Sequence, residues 1–133
     1  MNIAFFITPK KQIVYAKLTS TLRQALERMK YYNCNELIIL NSKGEYAGFI
    51  NREDIIRKIK NSPNLHFKDF NKVGILDIIK HVINNPLGIN CDIEDIAFPV
   101  TNVNFLPVAD DNNKFIGIIK KDDILNHKSC YAV

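Results

Sequence analysis

The chain has 133 residues, of which 47% are hydrophobic and 24% are charged, the size and composition of one ordinary globular domain. No apolar run approaches the ~20 residues of a membrane-spanning helix, and no basic region precedes the short apolar run at the N-terminus, so we expect neither a membrane segment nor a signal peptide. The three cysteines show no close pairing with Cys or His, which argues against a disulfide framework or a zinc site and favours the cytoplasm. The formal net charge of +4 is mild and its lysines are scattered, which fits a solvated surface or a phosphate-bearing partner.

The first half of the chain predicts a helix, two strands and a second helix. Apolar residues recur at helical spacing after a Ser-Thr pair that can cap the helix, and a continuous apolar run bounded by turn residues is typical of a buried strand. The second helix has acids in its first turn and bases in its last, which matches the helix dipole. In chain order the elements are a helix capped by Ser20-Thr21 that runs to Tyr31, a strand at 37–40, a turn at 41–44, a strand at 45–50 and a helix at 51–60.

The second half predicts the same order of elements after a connecting region. The short helix that starts at 92–95 is expected to end early, because a proline stands within or at the end of it. In chain order we expect a loop at 65–74, a helix at 75–83, a short helix that starts at 92–95 and ends near Pro99, a strand at 105–109, a turn at 110–113, a strand at 114–119, a helix that opens at 121–126 and a loose tail from 127 to 133.

Two segments, 36–56 and 105–125, align without a gap at a spacing of 69 positions. A repeat of this length indicates one structural unit used twice, which predicts a shared core and two equivalent clefts, as in a binding module. The repeated glycines are expected to let another backbone approach closely. The positions that are identical in the two copies are Leu37/Leu106, Gly48/Gly117, Ile50/Ile119, Asp54/Asp123 and Ile55/Ile124.

Each copy combines a buried strand, a polar turn, an aromatic-x-Gly-apolar-Ile strand and an Asp-Ile-apolar helix start. These motifs are Leu37–Leu40, Tyr46–Ile50 and Asp54–Ile56 in the first copy, Phe105–Asp110, Phe115–Ile119 and Asp123–Leu125 in the second, and the leading segments Phe5–Lys10 and Gly74–Ile79. The pattern resembles the CBS domain, and the tandem resembles a CBS pair, or Bateman module, like the short stand-alone CBS-pair proteins of bacteria. The resemblance implies an α/β (α+β) fold of two βαββα repeats, residues 1–62 and 63–133, packed as a pseudo-two-fold pair with two clefts between them.

The resemblance also implies a function. CBS pairs commonly bind adenine nucleotides and commonly form homodimers, so the expected protein is a non-enzymatic cytoplasmic sensor whose ligand is AMP, ADP, ATP or cyclic di-AMP. The nucleotide would be a regulatory ligand rather than a cofactor, and an unidentified partner protein would respond to it. The acidic clusters of the chain lie at turns and helix starts with no histidine beside them, so neither catalysis nor a metal site is expected.

The resemblance assigns candidate binding residues at the end of the second strand and the start of the following helix. In the family an aspartate there accepts hydrogen bonds from the ribose hydroxyls, and Asp54 and Asp123 match it. The family's Thr or Ser, which contacts phosphate, is replaced by Asn51 in the first copy and Lys120 in the second. Lys120 and the adjacent Lys121 would bring positive charge to the second cleft, which is therefore the better candidate for a phosphate-bearing ligand.

Each candidate has a structural alternative. The two aspartates could instead stabilise the starts of their helices, and the two lysines could be a solvated strand end. Ile38 and Pro107 occupy the family position that packs against the adenine ring, and core or turn packing is the alternative for both.

Two alternative functions remain open from the sequence. Loss of the family's Thr or Ser at Asn51 and Lys120 favours a protein-interaction module that no longer binds nucleotide. A small nucleic-acid-binding protein rests only on the mild positive charge, and we do not expect a nucleic-acid ligand.

Overall fold

The computed structural model describes residues 1–79, 86–96 and 104–131. Contacts divide the chain into two compact units. The continuous unit is Val14–Asn84, and the split unit combines Met1–Ile13 with Asn85–Val133. The division into repeats at residues 62 and 63 follows the sequence rather than these contacts, and it stays a prediction.

Strands and helices follow one another in the mixed order that the α/β (α+β) prediction requires. Among the described residues, no helix is both long and apolar enough to cross a membrane. The strands are β1 (Ile7–Pro9), β2 (Tyr15–Lys17), β3 (Glu36–Leu40), β4 (Tyr46–Asn51), β5 (Leu87–Gly88), β6 (Phe105–Ala109) and β7 (Phe115–Lys120), and the helices are α1 (Leu22–Tyr32), α2 (Arg52–Lys60) and α3 (Lys121–Tyr131).

The continuous unit packs α1 and α2 against a three-stranded sheet in the order β2-β3-β4. Strand β3 runs parallel to β2 and antiparallel to β4. As predicted, Thr21 caps α1, and it forms a reciprocal capping box with Gln24. The apolar face of α1 then meets alternate residues of β3 in a core that contains Leu22, Ala25, Met29, Leu37, Ile39, Ile50, Ile55 and Ile75.

The split unit contains a four-stranded sheet in the order β1-β7-β6-β5. The short N-terminal strand β1 pairs antiparallel with β7, with Ile7 opposite Ile119 and Pro9 opposite Gly117. Among the described residues, its core contains Ile3, Ile93, Ile96, Val108, Ile119 and Ile124, all at most 5% exposed.

The backbone confirms the internal repeat down to the turns. The side-chain oxygens of Asn41 and Asp110 each accept hydrogen bonds from the backbone N–H groups two and four residues later, all at 2.9 Å. Gly44 and Asn113, three positions after these caps, have positive φ angles of 77° and 63°. The two residue types that best tolerate this conformation therefore occupy the same position in both copies.

Three expectations differ from the structure. The predicted tail is wrong for residues 127–131, because α3 continues to Tyr131 with no glycine or proline to interrupt it. The predicted loop at 65–74 contains a 3-10 helix at Phe67–Lys72. Of the helix expected at 75–83, the structure shows a 3-10 turn at Ile75–Asp77, and residues 80–83 lie outside the described residues.

The short helix expected from Asp92 is a 3-10 turn at Ile93–Asp95. It does not continue into Ile96, whose φ of −83° and ψ of 121° are extended. Pro99, which was expected to end this helix, lies outside the described residues.

Gly117 has a specific steric role at the crossing of β1 and β7. A Cβ atom at this position would overlap the carbonyl oxygen of Thr8 and lie 2.7 Å from Cγ2 of Ile7. The expectation that this repeated glycine allows close backbone approach is therefore confirmed for Gly117.

We predict that Gly117→Ala lowers the free energy of unfolding by about 1–3 kcal/mol, because the added methyl group must displace β1. Gly88→Ala is the matched control, since no atom of the described residues lies within 4 Å of its added Cβ. The control is expected to change stability by no more than about 1 kcal/mol. Urea unfolding measures both variants, and equal losses in the two would contradict the proposed role of Gly117.

Candidate functional site

A cleft of about 510 Å³ lies in the split unit, between the N-terminal segment and α3. This volume is within the range of small-molecule binding sites. One wall is the segment Phe5–Thr8, and the other is the face of α3 that carries Asp123, Asn126 and His127.

The two walls have different chemistry. Asp123, Asn126 and His127 are three and four positions apart, so they share one helix face and provide a carboxylate, an amide and an imidazole. The opposite wall provides the rings of Phe5 and Phe6 together with the hydroxyl group of Thr8. Such a cleft can bind a ligand that has both polar groups and an apolar planar part.

Backbone hydrogen bonds hold the N-terminal segment against the rest of the split unit. The N–H of Ile3 donates to the carbonyl oxygen of Cys91 at 3.0 Å, and the N–H of Ile93 donates to that of Met1 at 2.9 Å. The Ile3 side chain is fully buried. This anchoring, followed by the pairing of β1 with β7, brings Phe5–Thr8 to the cleft.

The matching aspartate of the first copy is in a different environment. Asp54 is 4% exposed, and its carboxylate accepts a hydrogen bond from the N–H of Asn51 at 3.0 Å. The side chain of Asn51 accepts one in return from the N–H of Asp54 at 2.9 Å, which completes a capping box at the start of α2. Arg57 also lies 3.5 Å from the carboxylate. These contacts fit the helix-start alternative for Asp54, and its contact with a ribose stays a prediction.

The second copy cannot form the same capping box. Lys120 replaces Asn51, and a lysine side chain has no acceptor atom for the N–H of Asp123. Asp123 is exposed and borders the cleft. Two identical residues in matching sequence positions therefore differ both in burial and in the residue three positions before each.

The other predicted site residues do not border this cleft. Lys120 is exposed at the end of β7, and Lys121 is half-buried at the start of α3, where its N–H donates to the carbonyl oxygen of Asn104 at 2.8 Å. Ile38 and Pro107 are buried in β3 and β6, on sheet faces opposite the core residues that flank them. Their predicted contact with adenine stays a prediction.

Sequence reasoning missed Thr8, Asn126 and His127 as cleft residues. Asn126 and His127 could have been found from helical spacing, because they follow Asp123 by three and four positions. His127 was instead placed in the predicted tail. Thr8 lies far from α3 in the sequence, and only the pairing of β1 with β7 brings it to the cleft.

A larger groove of about 760 Å³ lies on the continuous unit, along β2 and α1. Within it, Nε of Arg28 donates a hydrogen bond to the carbonyl oxygen of Tyr15 at 2.6 Å, and the guanidinium lies 5.9 Å from the centre of the Tyr32 ring. None of the candidate site residues lines this groove, so we place the candidate site in the cleft of the split unit.

Comparison with known proteins identifies the family. The family model described as CBS domain matches residues 6–61 and 79–129, which is most of the chain. The chain belongs to the CBS domain family and contains two CBS repeats. Among curated proteins, it is 23% identical over 121 residues to an uncharacterized protein of Methanopyrus kandleri. The match covers 87% of this chain and 58% of that protein, so the chain spans less than two thirds of this relative.

Solved structures of CBS proteins share the fold. CbpB of Listeria monocytogenes, in complex with c-di-AMP, matches with a TM-score of 0.78 at 18% identity over 97% of this chain and 96% of that one. CBSX2 in complex with AMP matches with a TM-score of 0.71 at 18% identity over 99% of this chain and 98% of that one. A CBS-domain protein of unknown function from Bacillus anthracis matches with a TM-score of 0.79 at 14% identity over 98% and 94%. At these identities the likeness concerns the fold.

We predict that removal of the two repeated aspartates affects stability differently. Asp54→Ala should lower the free energy of unfolding by about 1–3 kcal/mol, because it removes one half of the capping box and takes the acceptor from the part-buried N–H of Asn51. Asp123→Ala should change it by no more than about 0.5 kcal/mol, because Asp123 is exposed. Urea unfolding of both variants checks this, and an equal loss would show that Asp123 also has a structural role.

Proposed function

We propose that this CBS-pair protein is a non-enzymatic regulatory module that binds an adenine nucleotide in the cleft of the split unit. The observation that carries the proposal is the position of Asp123, an exposed carboxylate at the edge of a cleft of about 510 Å³. A carboxylate can accept hydrogen bonds from both hydroxyl groups of a ribose, and the remaining lining residues offer aromatic surface and polar side chains for the rest of a nucleotide.

The structural neighbours support the choice of ligand class. Two of them were solved in complex with c-di-AMP and AMP, respectively, and both cover nearly all of this chain. AMP, ADP, ATP and cyclic di-AMP are therefore the ligands to test first. Lys120 and Lys121 strengthen the positive potential at the start of α3, where a helix N-terminus already favours an anion.

We further propose that the chain binds one nucleotide rather than two. The carboxylate of Asp54 is buried and already accepts hydrogen bonds within its own helix start. A ribose at that position would have to break the capping box with Asn51 and bury further polar groups. Asp123 is exposed at the edge of the cleft, where a ribose can reach its carboxylate.

The proposed module acts in the cytoplasm as a homodimer, and a partner protein responds to its ligand-dependent state. A ligand can shift such a state only by the difference between its affinities for the two forms, typically about 1–3 kcal/mol. The alternative is an interaction module that has lost nucleotide binding. The observation that favours it is the absence of the family's Thr or Ser at Asn51 and Lys120, together with the burial of Asp54.

A thermal-shift screen tests the proposal with AMP, ADP, ATP, cyclic di-AMP and, as a non-adenine control, GMP. A ligand at 100 times its Kd is expected to stabilise the fold by about 2.7 kcal/mol, which raises the Tm of a domain of this size by several degrees. Asp123→Ala should abolish the shift. Asp122→Ala, which removes an adjacent exposed acid outside the cleft, should retain it.

Isothermal titration of the best ligand then measures the stoichiometry. One nucleotide per chain, with binding lost in Asp123→Ala and retained in Asp122→Ala, is the expected result. Two nucleotides per chain would contradict the assignment of Asp54 to a purely structural role. The absence of a shift with every adenine nucleotide would reject the proposal in favour of the interaction module.

A further inference from the structure

The described lining of the cleft includes one acidic side chain and one basic side chain. Of the residues that line it, Asp123 is an anion and His127 is the one that can become a cation, while the others are neutral. A nucleotide brings further negative charge next to Asp123. Protonation of His127 would offset that charge, and histidine is the side chain whose charge changes between about pH 5 and pH 8.

The imidazole of His127 is held at the cleft wall. It lies one helical turn after Asp123, on the same face of α3. Its ring packs edge-on against Phe6, with 5.0 Å between the ring centroids and an interplanar angle of 66°. This contact places the imidazole at the junction of the two walls, where any occupant of the cleft is a near neighbour.

Charged groups on the surrounding elements also act on His127. The sequence of α3 carries the charged residues Lys121, Asp122, Asp123 and Lys128, and Lys120 ends β7 directly before it. From the turn Ile93–Asp95, Glu94 interacts electrostatically with His127. The segment Phe5–Thr8 contributes no titratable side chain.

Glu94 is itself held in its anionic form. Its own backbone N–H and the Met1 ammonium group, 3.0 Å away, lower the pKa of its carboxyl group, and His127 adds to this effect.

The size of the cleft limits how far a ligand phosphate can lie from His127. A space of 510 Å³ is on the order of 8 Å across, about one Debye length at physiological ionic strength, so screening does not remove the interaction. A phosphate group in the cleft therefore lies within reach of a positive charge on this wall.

We infer that His127 couples phosphate recognition to pH, so that a nucleotide binds together with a proton and the cleft prefers phosphate-bearing ligands to the bare nucleoside most strongly at acidic pH. The inference rests on the proposed function. The bound anion favours the protonated imidazole, so the added affinity is fully present below the titration range of the histidine and is lost as the pH rises through that range. Adenosine, which carries no phosphate, gains nothing from the charge.

Isothermal titration with cyclic di-AMP and with adenosine at about pH 5.5 and about pH 8 tests the inference across the range in which histidine titrates. The phosphodiester groups of cyclic di-AMP stay ionised throughout, so a change in affinity reports on the protein. We expect the affinity for cyclic di-AMP to fall by about three- to tenfold over this range, and the affinity for adenosine to stay constant. AMP is the ligand if cyclic di-AMP does not bind, with its own phosphate titration measured separately.

His127→Gln should remove the pH dependence and bring the affinity at pH 5.5 to the value at pH 8. His66→Gln, which changes an exposed histidine of the continuous unit, should leave the profile unchanged. In the wild-type protein, titration in two buffers of different ionisation enthalpy should show proton uptake with cyclic di-AMP and none with adenosine. This last measurement needs no variant, so it decides the question even if His127→Gln fails to fold.

The outcomes separate this inference from the proposed function. If cyclic di-AMP or AMP binds equally well at both pH values and without proton uptake, the inference is wrong and the nucleotide site stands. If His127→Gln weakens adenosine and the nucleotide equally, the imidazole packs against the nucleoside and its electrostatic role is rejected. If the wild-type protein binds no adenine nucleotide at either pH, the proposed function and the inference both fail.

Discussion

The pairing of β1 with β7 is the constraint on which the candidate site depends. It joins a three-residue strand near the start of the chain to a strand more than one hundred positions later, and it brings Phe5–Thr8 to the face of α3. The close approach is possible because Gly117 has no Cβ atom to meet the carbonyl oxygen of Thr8. One wall of the cleft therefore comes from a segment that is remote in sequence from the repeat that supplies the other wall.

The two copies differ in the residue that precedes the helix after their second strand, which is Asn51 in the first and Lys120 in the second. The side chain of Asn51 accepts a hydrogen bond from the N–H of Asp54, and the N–H of Asn51 donates one to the carboxylate of Asp54. The first aspartate is therefore part of a helix start. The side chain of Lys120 offers only donors, so the second copy does not form the same capping box. The second aspartate is exposed and borders the cleft. The resemblance between the copies extends to their turns and strands but not to this polar contact.

This difference bears on how CBS pairs are interpreted from sequence. Both aspartates match the family motif equally well, and the family match and the structural neighbours establish the fold for both copies. The burial of Asp54 and the exposure of Asp123 distinguish the copies where motif matching does not. His127, which lines the cleft, and Glu94, which interacts electrostatically with it, do not belong to the motif.

The sequence by itself determined the repeat, the strands and helices within it, the positive φ at Gly44 and the need for close approach at Gly117, because periodicity, turn chemistry and steric freedom act over a few residues. The family resemblance added the fold class. The sequence does not predict the end of α3, because a short polar segment has weak helical periodicity. It therefore places His127 outside the helix. Only the tertiary structure decided which aspartate is buried and which segment faces α3. Burial and long-range strand pairing depend on contacts between residues far apart in the chain, and local patterns do not specify them.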